Sequence, residues 1–203
     1  MNQKIINIVL VGAVIVLGIV GYLAWVKKSE PVSPDQVSQT FDWITYTNND
    51  VGFEFKYPPN LILGETQGEV TLSHSIPYEN SGDCDMEGGT KVYKTLNDFG
   101  LSFEIVKGKA GPVGWEEGQF DGPYNLNQLK GNWAFEGLEG CGYTGYYFPL
   151  ENGTTLVVKK DSIQALQGYS WNTNEILKIP NVINLEENEE IFKQILSTFK
   201  FTK

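Results

Sequence analysis

Hydrophobic positions along this chain follow three patterns: one unbroken apolar run, a long series of alternating segments, and one stripe at helical spacing. The run from Ile5 to Val26, IINIVLVGAVIVLGIVGYLAWV, holds no charged residue between Lys4 and Lys27. At about 1.5 Å per helical residue it reaches roughly 33 Å, enough to cross a hydrocarbon core, so the pattern predicts one N-terminal transmembrane helix. Tyr22, Leu23, Ala24 and Trp25 close the run where a cleaved leader would place a small-x-small site, so the helix is read as a retained anchor. Gly12, Gly18 and Gly21 never fall four apart, which removes the small-residue dimerisation spacing.

Residues 29–40, SEPVSPDQVSQT, carry two prolines and little to bury, and predict an extended spacer. The division is therefore an anchor with flanking lysines at 1–28, a linker at 29–40 and a domain at 41–203. Within that domain FDWITYT (41–47) and VGFEFKY (51–57) flank an Asn48-Asn49-Asp50 turn. Phe53, Phe55 and Tyr57 share one face against Glu54 and Lys56, which predicts a hairpin with one buried side. Pro58 and Pro59 stop the second strand, because neither can donate to a ladder.

EVTLSHSI (69–76) alternates again and puts His74, the chain's one histidine, on the apolar side with Val70, Leu72 and Ile76. Two roles are open to it, a packed hydrogen-bonded histidine or a catalytic base or metal ligand. LSFEIVK (101–107) is the next alternating strand. Two Gly-rich loops, 77–90 and 108–128, flank this part of the chain; the second carries Trp115, Phe120 and Tyr124 among Glu116, Glu117 and Asp121. Loops of that length in a compact domain are commonly functional, and these aromatics suit either a lid packed on the sheet or a platform for a ligand or partner. From Gly131 to Lys160 every segment reads as strand, with Asn152-Gly153 marking a hairpin.

The last pattern is helical. Asn184 can cap, Glu187 stands three residues on, and Ile191, Phe192, Ile195, Leu196 and Phe199 form one stripe able to dock on the sheet. Sheet and docked helix together indicate an α+β domain behind the anchor.

Charge narrows the partners. Among 203 residues there are 15 basic side chains, all lysine, and 25 acidic ones. Lys4, Lys27 and Lys28 flank the apolar run, which leaves 12 lysines against 25 carboxylates beyond it, a formal −13. Such a surface repels phosphate and has no guanidinium fork, so nucleic acid is excluded as a partner. Lys27 and Lys28 on one side and Lys4 with the terminal amine on the other leave membrane orientation nearly balanced.

Cys84 and Cys141 both sit in Gly-flanked loops. Bridged outside the cytosol they would close a loop of about 58 residues, worth about 4 kcal/mol; free thiols or a redox pair are the alternatives. The disulfide reading places the domain outside the cytoplasm. Asp83, Asp85 and Glu87, followed by Gly88, match the start of a calcium loop, but Lys94 stands where a bidentate Glu belongs. The alternative is a solvated acidic loop, and no other cofactor is indicated. Catalytic signatures are thin: Ser197-x-x-Lys200 lacks its companion motifs, and Glu116 with Glu117 is one of many acidic pairs. No enzyme is expected.

TYTNNDVGFEFKYP (45–58) and EIFKQILSTFKF (190–201) resemble the first and last signatures of PsbP-like domains, and GNWAFEGLEG, GYYFPL and TTLVVKK are similar to that family's central strands. The likeness is closest to the bacterial versions with a single membrane anchor. It implies a central antiparallel sheet with helices on both faces, an α/β/α sandwich. Photosynthetic members assist assembly and ion retention at a membrane complex, and nothing in these residues carries that role over. The resulting expectation is a membrane-tethered, extracytoplasmic, non-enzymatic interaction or assembly module, held to the membrane by residues 5–26 and meeting another envelope protein. A small-ligand-binding or calcium-binding surface domain is the alternative.

Overall fold

The computed structural model describes residues 42–66, 68–80, 92–112, 119–138, 141–168 and 172–202. All of them belong to one unit, Thr40–Lys203. Among the described residues the chain runs through ten strands, β1 (Ile44–Asn48), β2 (Phe53–Tyr57), β3 (Ile62–Thr66), β4 (Glu69–Ile76), β5 (Leu96–Lys107), β6 (Gly122–Leu126), β7 (Leu129–Leu138), β8 (Cys141–Pro149), β9 (Thr154–Ser162) and β10 (Lys200–Phe201). The described helices are a four-residue α1 (Thr173–Ile176) and α2 (Leu185–Thr198), with a 3-10 turn at Gln164–Leu166.

Two antiparallel sheets result, one ordered β1-β2-β10 and one ordered β3-β4-β5-β9-β8-β7-β6. Alternation decides which side of the larger sheet is dry. Val70, Leu72, Phe99, Leu101, Phe103, Tyr146, Phe148, Leu156 and Val158 all face inward. Against them pack Phe53, Phe55 and Tyr57 of β2 and Phe192, Ile195 and Leu196 of α2. Phe55 and Phe103 stack at 4.6 Å between ring centres, and Phe199 joins Phe53 at 5.2 Å. A second apolar cluster of Ile76, Leu96, Ile163, Leu166 and Ile176 lies at one end of the same side.

The helix α2 forms where its pattern says it should. Asn184 Oδ1 accepts from Glu187 N–H at 3.0 Å, capping an otherwise orphan donor, and Glu186 and Glu187 complement the dipole. Its stripe of Ile191, Phe192, Ile195 and Leu196 is buried. The helix ends at Thr198 because the chain turns extended at Phe199 and pairs Phe201 with Phe53.

This architecture corrects the α+β expectation. Among the described residues the fold is mostly β, two packed antiparallel sheets with one substantial helix, and it is not an α/β/α sandwich. Both described helices serve the inner side of the large sheet, where the apolar residues are, and no described helix lies on its outer face. Three further differences are local. Residues 62–66 form the edge strand β3, Leu96 to Gly100 extend β5, and residues 122–126, expected within a loop, pair with β7 through a turn at Asn127 with φ 52°.

The expected transmembrane helix is not among the elements of this fold: no described helix is long and apolar enough to cross a membrane, and the run Ile5 to Val26 lies outside the described residues. Cys141 opens β8, is buried and is disulfide-bonded, and no described cysteine is a free thiol. Cys84 lies outside the described residues.

Candidate binding site on the outer face of the sheet

Where strands cross in register, side chains opposite the core line up in rows across the sheet, one of them largely polar. Thr71 pairs with Ser102, Ser102 with Lys159, and Lys159 with Gly145, so one row runs straight across β4, β5, β9 and β8. Beside it Ser73 pairs with Gly100, and Asp161 pairs with Tyr143. Apart from Gly145, these residues line an open trough of about 370 Å³ together with Asn97 and Glu69.

Glycine shapes this surface at two points. A Cβ on Gly100 would stand 1.8 Å from Asp161 Oδ2, so the carboxylate lies across bare main chain. A Cβ on Gly145 would meet Tyr147 Oη at 2.6 Å and Glu136 Oε1 at 2.9 Å. Both positions trade strand propensity for close approach of a polar side chain.

Charge and proton state follow from these contacts. Lys159 Nζ lies 5.3 Å from the centre of the Tyr143 ring, a cation over the negative face of an aromatic. Tyr143 donates to Glu136 Oε2 at 3.0 Å, and Tyr147 donates to Glu136 Oε1. Burial, reinforced by the Glu136 carboxylate, pushes the Tyr143 phenol up to about 12 and raises Tyr147 as well. Tyr143 is therefore a neutral hydrogen-bonding group over the physiological range, and the trough combines hydroxyls, an amide, one ammonium and carboxylates without a nucleophile and base in contact.

The aromatic trio expected to act together is divided. Phe120 rests on Tyr147 at 5.5 Å on the outer side, whereas Tyr124 is part of the inner core at 4.6 Å from Tyr146. Trp115 lies outside the described residues, as do Glu116 and Glu117. So do Asp83, Asp85 and Glu87, the expected calcium ligands. Among the described residues no group of three or more His, Cys, Asp or Glu is placed to hold a metal ion.

His74 occupies the first of its two expected roles. Its Nδ1 is 2.6 Å from Asp98 Oδ1, with the carboxylate fully buried and the imidazole 14% exposed. Asp98 is the extra residue where the β4–β5 register shifts, and its other oxygen accepts from Ile183 N–H at 2.7 Å. The bulge turns Asp98 inward, so the pair ties strand to strand and strand to the segment before α2. Ser197 and Lys200 are apart in role: Ser197 Oγ bonds the carbonyl of Gln194, and Lys200 pairs with Glu54 at 3.6 Å.

Sequence reasoning did not find the trough. Its only linear signal is the run of small polar residues alternating with core residues in β4 and β5, Thr71, Ser73 and Ser102, whose convergence depends on strand order. No family model matches the chain, and no curated protein matches it either.

Proposed function

We propose that this chain is a non-catalytic binding domain whose ligand site is the polar trough on the outer face of its seven-stranded sheet. The observation that carries this reading is the in-register row Thr71, Ser102 and Lys159, which lines a trough of about 370 Å³ on the outer face. That volume falls within the range of small-molecule sites, about 300–1,000 Å³. Between an assembly module and a small-ligand domain, the concave polar lining favours the ligand; a protein docking site would present a broader apolar centre. We place the domain outside the cytoplasm, the compartment in which the disulfide at Cys141 would persist.

The test is a thermal-shift screen of the full chain against a library of small polar metabolites. Stabilising compounds are expected, since a ligand that binds the folded state alone raises the transition. The same compounds are expected to lose their effect on Ser102→Leu, which fills the trough with a side chain that strands accept. Failure of every compound to raise the transition, or stabilisation that persists in Ser102→Leu, overturns the proposal.

A further inference from the structure

Resting on that reading of the trough, we infer that its ligand is a saccharide, bound through its ring hydroxyls. The argument starts from which side chains reach the surface. Leu72, Phe99 and Leu101 border the trough, but their side chains are buried in the core, so they offer it main chain only. The aromatic surface that does reach the trough is the ring of Tyr143.

The side chains that do reach the trough are mixed in a particular way. Ser73 and Ser102 each bring a hydroxyl that both donates and accepts, Thr71 brings one that accepts while it donates to the Gly64 carbonyl at 3.4 Å, and Asn97 brings an amide with both capacities. Lys159 donates only, and its one described contact is the Tyr143 ring, which leaves its N–H groups directed to solvent or ligand. Asp161, two residues further along the same face of β9, accepts only. Residues so related on a strand are about 7 Å apart. A donor and an acceptor on one strand, with hydroxyls on the strands beside it, match a ring that carries hydroxyls on both edges, because each sugar hydroxyl can answer either partner.

Fully charged ligands match less well. A dicarboxylate would meet one ammonium but also Asp161 and Glu69, and a diamine would meet Lys159. A zwitterion could engage Lys159 and Asp161, yet it would leave the hydroxyls of Thr71, Ser73 and Ser102 facing a ligand without groups to pair with them. Among small polar molecules, a polyhydroxylated ring satisfies the whole row.

The experiment is a printed glycan array probed with the full chain, followed by calorimetric titration of the strongest binder against wild type, Lys159→Met and Ser102→Leu. Methionine keeps an apolar stem over Tyr143 and removes the donors. The expected result is a saturable glycan interaction weakened about tenfold by Lys159→Met, the loss typical of a hydrogen bond to a charged group. It should be abolished by Ser102→Leu, with both variants melting cooperatively. If no glycan binds while amino acids or carboxylates raise the melting temperature of wild type and not of Ser102→Leu, the saccharide inference falls and the binding trough stands. If neither class binds, both fall. A glycan that binds all three proteins equally lies elsewhere on the surface and also overturns the inference.

Discussion

His74 Nδ1 and Asp98 Oδ1 meet at 2.6 Å on the dry side of the large sheet, and they bring three parts of the chain to one point: β4, the bulge in β5 and the turn that precedes α2. Asp98 also accepts at its main-chain carbonyl from Asn188 Nδ2 at 3.2 Å. Replacing Asp98 with Ala orphans the buried Ile183 N–H and strips His74 of its partner. Denaturant titration should show a loss of about 2–4 kcal/mol, with Asp98→Asn costing less because the amide keeps an acceptor for Ile183 and a donor for the imidazole. Equal stability of Asp98→Ala and wild type would remove this tie from the account of the fold.

The rings of Phe55 and Phe103, 4.6 Å apart, hold the small sheet to the large one. Both are buried, and the surrounding rings of Phe53 and Phe199 have little freedom to close a void. Phe103→Ala should cost about 3–5 kcal/mol in chemical denaturation, whereas Phe103→Leu should cost markedly less. A truncation at Phe103 that leaves stability unchanged would mean that the two sheets are held by something else.

Deleting α2 tests the other half of the core. A chain ending before Glu186 exposes the inner face of the large sheet that Phe192, Ile195 and Leu196 cover, at about 1.5–3 kcal/mol for each large side chain. That loss matches the whole stability of an ordinary domain. The truncated chain should be insoluble or lack a cooperative transition, and a soluble, cooperatively melting product would refute the assignment.

Alkaline pH should loosen the fold in a defined window. Tyr46 and Tyr143 are each pushed from 10.0 up to about 12, by burial first and then by hydrogen bonds to Glu65 and Glu136 respectively. Burial also raises Tyr124, Tyr146 and Tyr147. Because the folded state keeps these phenols protonated while the unfolded chain ionises near 10, stability is fully present below about pH 10 and declines as pH rises through about 12. Tyrosinate absorbance and circular dichroism followed together should change in one step; phenols that ionise near pH 10 with the fold intact would contradict these environments.

Acid acts on α2. Burial raises the Glu189 carboxyl, but the ammoniums of Lys160 at 3.0 Å and Lys193 at 3.2 Å outweigh it and hold the group below the usual carboxylate range. The stability this contributes is present above the ordinary Glu value and lost as pH falls through the folded one. Glu189 is partly exposed, so Lys160→Met should cost no more than about 1 kcal/mol at neutral pH, with the difference from wild type vanishing in acid. A difference that persists at low pH would locate the cost in lost packing over Phe192.

Local pattern made some elements legible. Alternation in 53–57, 69–76 and 101–107 marked strands and their dry faces, and Asn184 with the stripe through Leu196 marked α2, because capping and periodicity act within one or two turns of chain. Weakly patterned segments were missed for the same reason. The short β3 and β6 lie at the two edges of the large sheet, and their pairing partners stabilise them more than their own residues do. The bulge at Asp98 was equally hidden, since an extra residue has no meaning until the opposing strand is known.

The sequence by itself determined which residues had to be removed from water, the excess of acidic over basic side chains, and the single histidine available for a polar core contact. Only the tertiary structure decided that one face of the sheet is covered and the other bears the trough, because strand order β4-β5-β9-β8 is a long-range property. It joins Thr71, Ser102, Lys159 and Gly145, which lie far apart in the chain, into one row. The fold likewise parts Phe120 from Tyr124: Phe120 precedes β6 and rests on Tyr147 of the outer face, whereas Tyr124 lies within β6 and packs on Tyr146 of the inner one.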